Sequence, residues 1–106
     1  KLEAVPEGDG TMLDNTVIVY LSDAAEAHHS RCGQWPFVLI PGKNTGLQGG
    51  RYLDFPHYMQ DGHREIGNLY TTLLHAVGER REYFGVRDAM LKGAARADGP
   101  LEALLS

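Results

Sequence analysis

The densest group of side chains able to do chemistry runs Ser22-Asp23-Ala-Ala-Glu26-Ala-His28-His29-Ser30-Arg31-Cys32. A carboxylate followed by two imidazoles offers oxygen and nitrogen ligands to zinc, manganese or calcium. Asp23, His28 and His29 are the candidate ligands, with Glu26 as a further candidate. A plainer reading uses the same residues. Asp23 as N-cap and Glu26 as N3 would form a capping box for a short helix. Adjacent histidines on a helix also point about 100° apart, which hinders sharing one metal. A second candidate, His63, lies in Asp61-Gly62-His63-Arg64, just before the strongest helical pattern of the chain. A helix N-terminus favours anions and can aim side chains at a sheet's active edge. Its alternative is a loop histidine with a capping role. His57 and His75 read as structural. Cys32 has no partner spacing that would make it a nucleophile. Gly42-Lys43-Asn44-Thr45-Gly46 lacks the spacing of a phosphate-binding loop and reads as a flexible connection.

The elements that must position these groups follow from the apolar pattern. Residues 1–15 form a lead-in segment rich in turn formers, with Pro6, Gly8, Asp9 and Gly10. Thr16-Val-Ile-Val-Tyr-Leu-Ser22 holds five consecutive apolar residues, three of them β-branched. That predicts a strand over 16–22, buried on both faces as in a parallel sheet covered by helices. The dense cluster starts where this strand ends, and open α/β sheets bind ligands at the carboxyl ends of their strands. A second strand is expected over 36–40, where Pro36 suits a strand's first residue. Trp35 reads as a core anchor before it. Arg51 to Phe55 could add a short edge strand before Pro56.

Over 64–77 the spacing predicts the main helix. Ile66, Leu69, Tyr70, Leu73, Leu74 and Val77 form one apolar stripe, expected to be core. Glu65 in the first turn and His75 in the last match the helix dipole. Gly78 is placed to end the helix. Residues 79–106 read as short helical turns, with a last one at Pro100-Leu-Glu-Ala-Leu-Leu105 that starts on its proline.

Composition narrows the function classes. The chain has 106 residues, 42% of them apolar, 23% charged, with a net charge of −4. Residues 1–30 carry one base against six acids, and the rest nine against eight. Without a basic stripe, nucleic acid is not an expected partner. One cysteine excludes an internal disulfide. The longest apolar run, Val17 to Leu21, is far too short to span a membrane, and no export signal is present. Two buried strands and one strong helix do not close a doubly covered sheet. Together with a start at Lys1 rather than Met, this leads us to expect a fragment of a larger α/β domain. It would be a single segment over 1–106, with a strand, site and helix core at 16–78.

Several stretches carry a family resemblance. They are Leu13-Asp-Asn-Thr-Val-Ile-Val-Tyr-Leu-Ser-Asp23, Glu26-Ala-His28-His29, Trp35-Pro36, Gly49-Gly50-Arg51-Tyr52-Leu53, Gly62-His63-Arg64, Asn68-Leu69-Tyr70 and Leu73-Leu74-His75. Together they resemble the C-terminal part of domain-of-unknown-function family 1552, over nearly the whole chain. The resemblance implies an exported, periplasmic or extracellular parent, and the missing N-terminal part of its own domain as the first partner. More distantly, the pattern is similar to the alkaline phosphatase and sulfatase superfamily, a three-layer α/β sandwich. There a strand ending in a metal-binding Asp is usually followed directly by His. Asp23 matches the Asp, Ala24 stands where the His would be, and His63 matches the later histidine. The implied activity is metal-dependent hydrolysis of phosphate or sulfate esters, on small-molecule or polymer substrates. This chain would hold part of the site and would be inactive alone, its nucleophile lying elsewhere. A non-catalytic binding or structural module that keeps the fold without the chemistry is the alternative.

Overall fold

Among the described residues, two short antiparallel strand pairs, one α-helix, four 3-10 turns and long connecting segments make up the fold, so helix and strand are mixed as expected. The computed structural model describes residues 1–23 and 34–105. Strands β1 (Pro6–Glu7) and β2 (Gly10–Thr11) pair through Pro6↔Thr11 and Glu7↔Gly10. A 3-10 turn, Met12–Asn15, follows and is closed at its start by Asp14, whose Oδ2 accepts from Thr11 N–H at 2.8 Å. It delivers the chain into β3 (Val17–Leu21), which pairs with β4 (Phe37–Pro41).

The strands lie within a residue of their expected bounds, but their setting differs. β3 and β4 are antiparallel, with Ile18 opposite Ile40 and Tyr20 opposite Val38. These four side chains share one face and are open, at 36%, 51%, 74% and 53% exposure. The opposite face, with Val17, Val19, Phe37 and Leu39, is half-buried. An unbroken apolar run announces a strand that can be covered on both sides. It does not say which neighbour pairs with it or what covers it. Here the next strand returns alongside, and nothing among the described residues covers the second face.

The helix, α1 (Ile66–Ala76), starts and stops for local reasons. At its start, Asn68 Oδ1 accepts from Glu65 N–H at 2.8 Å. At its end, Glu79 N–H reaches Leu74 O and Gly78 N–H reaches His75 O, the two bonds of a Schellman cap. Gly78 takes φ +88°, which an L side chain would resist.

The buried face of α1 takes only Leu69 from the apolar stripe. Gly67, Asn68, Leu69, Thr71 and Thr72 are buried, whereas Ile66, Tyr70, Leu73 and Leu74 are half-buried and Val77 is exposed. The segment that packs on the helix arrives with unpaired backbone groups, and the polar face satisfies them. Asn68 Nδ2 donates to Ala97 O at 2.9 Å and Gly99 O at 3.0 Å. Thr72 Oγ1 accepts from Leu101 N–H at 2.7 Å and donates to Asn68 O. Tyr83 lies against Gly67, and its hydroxyl donates to Glu65. Burial, with that bond, pushes the Tyr83 phenol up to about 12. The small core is Leu47, Leu69, Leu91, Ala95 and Leu101, with Leu91 fully buried.

Long segments close the fold in place of further strands. Residues 51–55 are irregular rather than an edge strand. The last turn is a 3-10 turn, Glu102–Leu104, shorter than the expected helix. It is tied to the glycine-rich segment by the Leu47↔Leu105 bridge, by Gln48 N–H to Leu104 O, and by the Arg51 guanidinium to Ala103 O.

Gly42 to Gly50 is firmly held at its start rather than a loose connection. Gly42 N–H donates to Thr16 O at 2.8 Å, and Asn44 N–H to Asp14 O at 2.9 Å. Thr45 donates to Gly42 O through both its N–H and its hydroxyl. Lys43 Nζ lies 3.3 Å from Asp14 Oδ2. The Thr11 N–H, with help from Lys43, holds the Asp14 carboxyl below its usual 3.8. Because the folded value is the lower one, the stability Asp14 adds is present above 3.8 and is lost as pH falls through the folded value. Urea midpoints measured from neutral pH down to about pH 3 should fall less steeply in Asp14→Asn than in the wild type. Parallel pH curves would remove Asp14 from the acid response.

Candidate functional site

Asp23 stands two residues beyond the end of β3 and is exposed, so its carboxylate is presented at the end of the β3–β4 pair. Glu26, His28 and His29, the other candidates of the dense cluster, lie outside the described residues, as does Cys32. The two ends of the connection that carries them are fixed. Leu21 pairs with Phe37, and the Trp35 indole N–H donates to Ser22 O at 2.9 Å. Trp35 also stacks on Phe37, with ring centroids 6.1 Å apart. It therefore anchors the connection as well as the strand. Beside it, Tyr20, Leu21, Ser22, Pro36 and Val38 line a shallow hollow of ≈ 150 Å³.

The loop 56–63 comes to this same end of the strand pair. The Gln34 side-chain amide lies 3.1 Å from His57 Nδ1, so the residue that re-enters the described chain after the cluster touches this loop. The loop has its own internal closure: His57 N–H donates to Gln60 Oε1, Gln60 N–H to His57 O, and His63 N–H to Gln60 O. Met59, at φ +71°, is the only described non-glycine residue with a left-handed backbone.

His63 is half-buried and oriented. Its Nδ1 lies 2.9 Å from Pro56 O. A carbonyl only accepts, so in the neutral ring this contact puts the proton on Nδ1 and leaves Nε2 with its lone pair. That is the arrangement by which a second contact prepares a histidine as a metal ligand or base. The Tyr58 ring meets His63 edge to face at 5.6 Å. Tyr58 in turn donates to Asp88 Oδ2 at 2.5 Å, and Met90 N–H donates to Asp88 Oδ1 at 2.8 Å. The Asp88 bond raises the Tyr58 phenol above its usual value, and the same bond holds the Asp88 carboxyl below its own.

Tyr58 and Asp88 gave no signal in the sequence. They are thirty residues apart and share no motif. His75 behaves as a structural residue: its Nε2 lies 2.8 Å from Arg81 O. Among the described residues, no three His, Cys, Asp or Glu side chains gather closely enough to hold a metal ion. Nor is any described helix long and apolar enough to cross a membrane. Comparison with protein-family models, curated proteins and solved structures finds no match to this chain.

Proposed function

We propose that this chain supplies part of the divalent-metal site of an exported α/β hydrolase of phosphate or sulfate esters. The observation that carries the reading is His63, whose Nδ1 faces Pro56 O so that Nε2 is left as a ligand nitrogen. Asp23, exposed just past the carboxyl end of β3, adds an oxygen donor of the right kind. Two donors do not make a site, so His28, His29 or Glu26, or groups from other parts of the parent domain, would complete it. Zinc and manganese suit an imidazole–carboxylate set better than calcium does. When bound, such an ion would stabilise the charge that develops on the ester oxygens during displacement. In this reading the nucleophile comes from another part of the domain.

The uncovered apolar face of Ile18, Tyr20, Val38 and Ile40, and the half-open stripe of α1, support membership of a larger layered domain. In a three-layer sandwich both surfaces would be covered by neighbouring elements. The substrate class and the export in this proposal come from the resemblance of the sequence to family 1552 and, more distantly, to the alkaline phosphatase superfamily.

A zinc titration against a competing chelator tests the metal reading. The wild-type chain should bind more tightly than Asp23→Ala and His63→Ala, each by about tenfold or more. Equal binding by all three chains would instead favour the non-catalytic module, a reading to which Ala24 in place of the expected histidine already lends weight.

A further inference from the structure

We propose that Tyr58 and Asp88 are positioning residues for His63, fixing its ring so that Nε2 is the ligand nitrogen; this rests on the metal reading of His63. An imidazole has two side-chain torsions to fix. The contact from Nδ1 to Pro56 O holds one edge of the ring at 2.9 Å. That contact alone leaves the ring free to tilt about it. The Tyr58 ring, set at 86° to the imidazole, blocks the tilt.

Tyr58 can serve as a stop only if it is itself held, because it is 45% exposed and lies on a loop. Asp88 provides the hold from a different segment, accepting the phenol proton at Oδ2 while the Met90 N–H occupies Oδ1. The two segments are joined again where Gly62 N–H donates to Ala94 O at 2.8 Å. The backbone under His63 is braced as well, since Arg64 Nη1 donates to both Gly62 O and His63 O. Met59, between Tyr58 and Gln60, has a left-handed backbone at φ +71°. It is the third residue of the turn closed by Gln60 N–H to His57 O, the position at which such a turn requires a positive φ. That turn places Tyr58 at its second position, where it meets Asp88 and His63.

The test is the tautomer of His63, read by nitrogen-15 NMR on the full chain at about pH 8.5, two units above an ordinary imidazole pKa. The signal is assigned by its loss in His63→Gln. The wild type should show Nδ1 protonated. Tyr58→Phe, which keeps the ring but cuts the tie to Asp88, and Asp88→Ala should each show a mixture of tautomers. Both should weaken zinc binding by about 10–100-fold. Unchanged amide signals from α1 show that a variant has folded, and if Asp88→Ala does not fold, Tyr58→Phe decides alone. A folded Tyr58→Phe that keeps the wild-type tautomer overturns the proposal, even where His63→Gln abolishes zinc binding and so upholds the metal reading. A tautomer lost in the variants of a chain that binds no zinc upholds the positioning role and rejects the metal reading.

Discussion

Gly42→Ala is expected to destabilise the chain by roughly 3 kcal/mol, the upper end of what overpacking costs. The reason is a close approach of backbone to backbone. A Cβ at Gly42 would meet Leu13 O and Asp14 O, and would come within 2.5 Å of Asp14 C. None of these atoms can rotate away as a side chain could. They belong to the 3-10 turn Met12–Asn15, which is itself pinned by Asp14 to Thr11 and by Thr16 to Met12 O. Gly42 cannot retreat either, because its N–H is bonded to Thr16 O and its carbonyl takes two bonds from Thr45. Domains of ordinary stability unfold at about 5–15 kcal/mol, so ~3 kcal/mol is a large share. Gly46, four residues on, is the control. It has φ +74° but open space around its Cβ position, so Gly46→Ala should cost about 1–2 kcal/mol from backbone conformation alone. Urea midpoints of the two variants measure the difference. Equal losses would mean that the contact between the glycine loop and the lead-in turn is not tight.

Asn68→Ala should lose a further large amount, about 2–3 kcal/mol, because it removes three hydrogen bonds at once and leaves their half-buried partners unpaired. Asn68 is 1% exposed and makes three side-chain hydrogen bonds. Truncating it would leave Glu65 N–H, Ala97 O and Gly99 O without their partner, at about 0.5–1.5 kcal/mol for each bond lost by a half-buried group. Asn68→Asp separates the roles. It keeps an acceptor for Glu65 N–H but sets a carboxylate against two carbonyl oxygens, so it should be at least as damaging as alanine. Hydrogen exchange should then rise at Gly99 and Leu101, where the covering segment meets the helix. Protection unchanged at those positions, or an Asn68→Asp variant as stable as the wild type, would show that this polar seam does not hold the two segments together.

That seam also marks where the sequence stopped being informative. The positions of β3 and β4, the helix and its Gly78 stop are local properties, written in runs of β-branched residues, in periodicity and in a glycine. They were legible to within a residue or two. Pairing direction and burial are not local. Val17 to Leu21 is apolar enough for either face, and only its neighbour decides that β4 returns antiparallel and leaves Ile18 and Tyr20 open. On α1 the stripe from Ile66 to Val77 suggested the core face, yet hydrogen bonds to residues 97–101 drew Asn68 and Thr72 inside. Asn and Thr carry no periodic signal that predicts such a role. His63 stood out because it precedes the helix, whereas Tyr58 and Asp88 meet only through the fold. The open face of β3–β4 and the stripe of α1 remain the surfaces on which the larger-domain reading rests.

The measurement closest to the central claim is a thermal melt of the chain with and without zinc or manganese, repeated on Asp23→Ala and His63→Ala. A metal held by the folded state alone stabilises it by about 2.7 kcal/mol at a hundredfold excess over its dissociation constant. The account predicts a rise in Tm that depends on metal in the wild type and is lost in both variants. A cooperative melt that is indifferent to metal, or a rise that both variants retain in full, would contradict it.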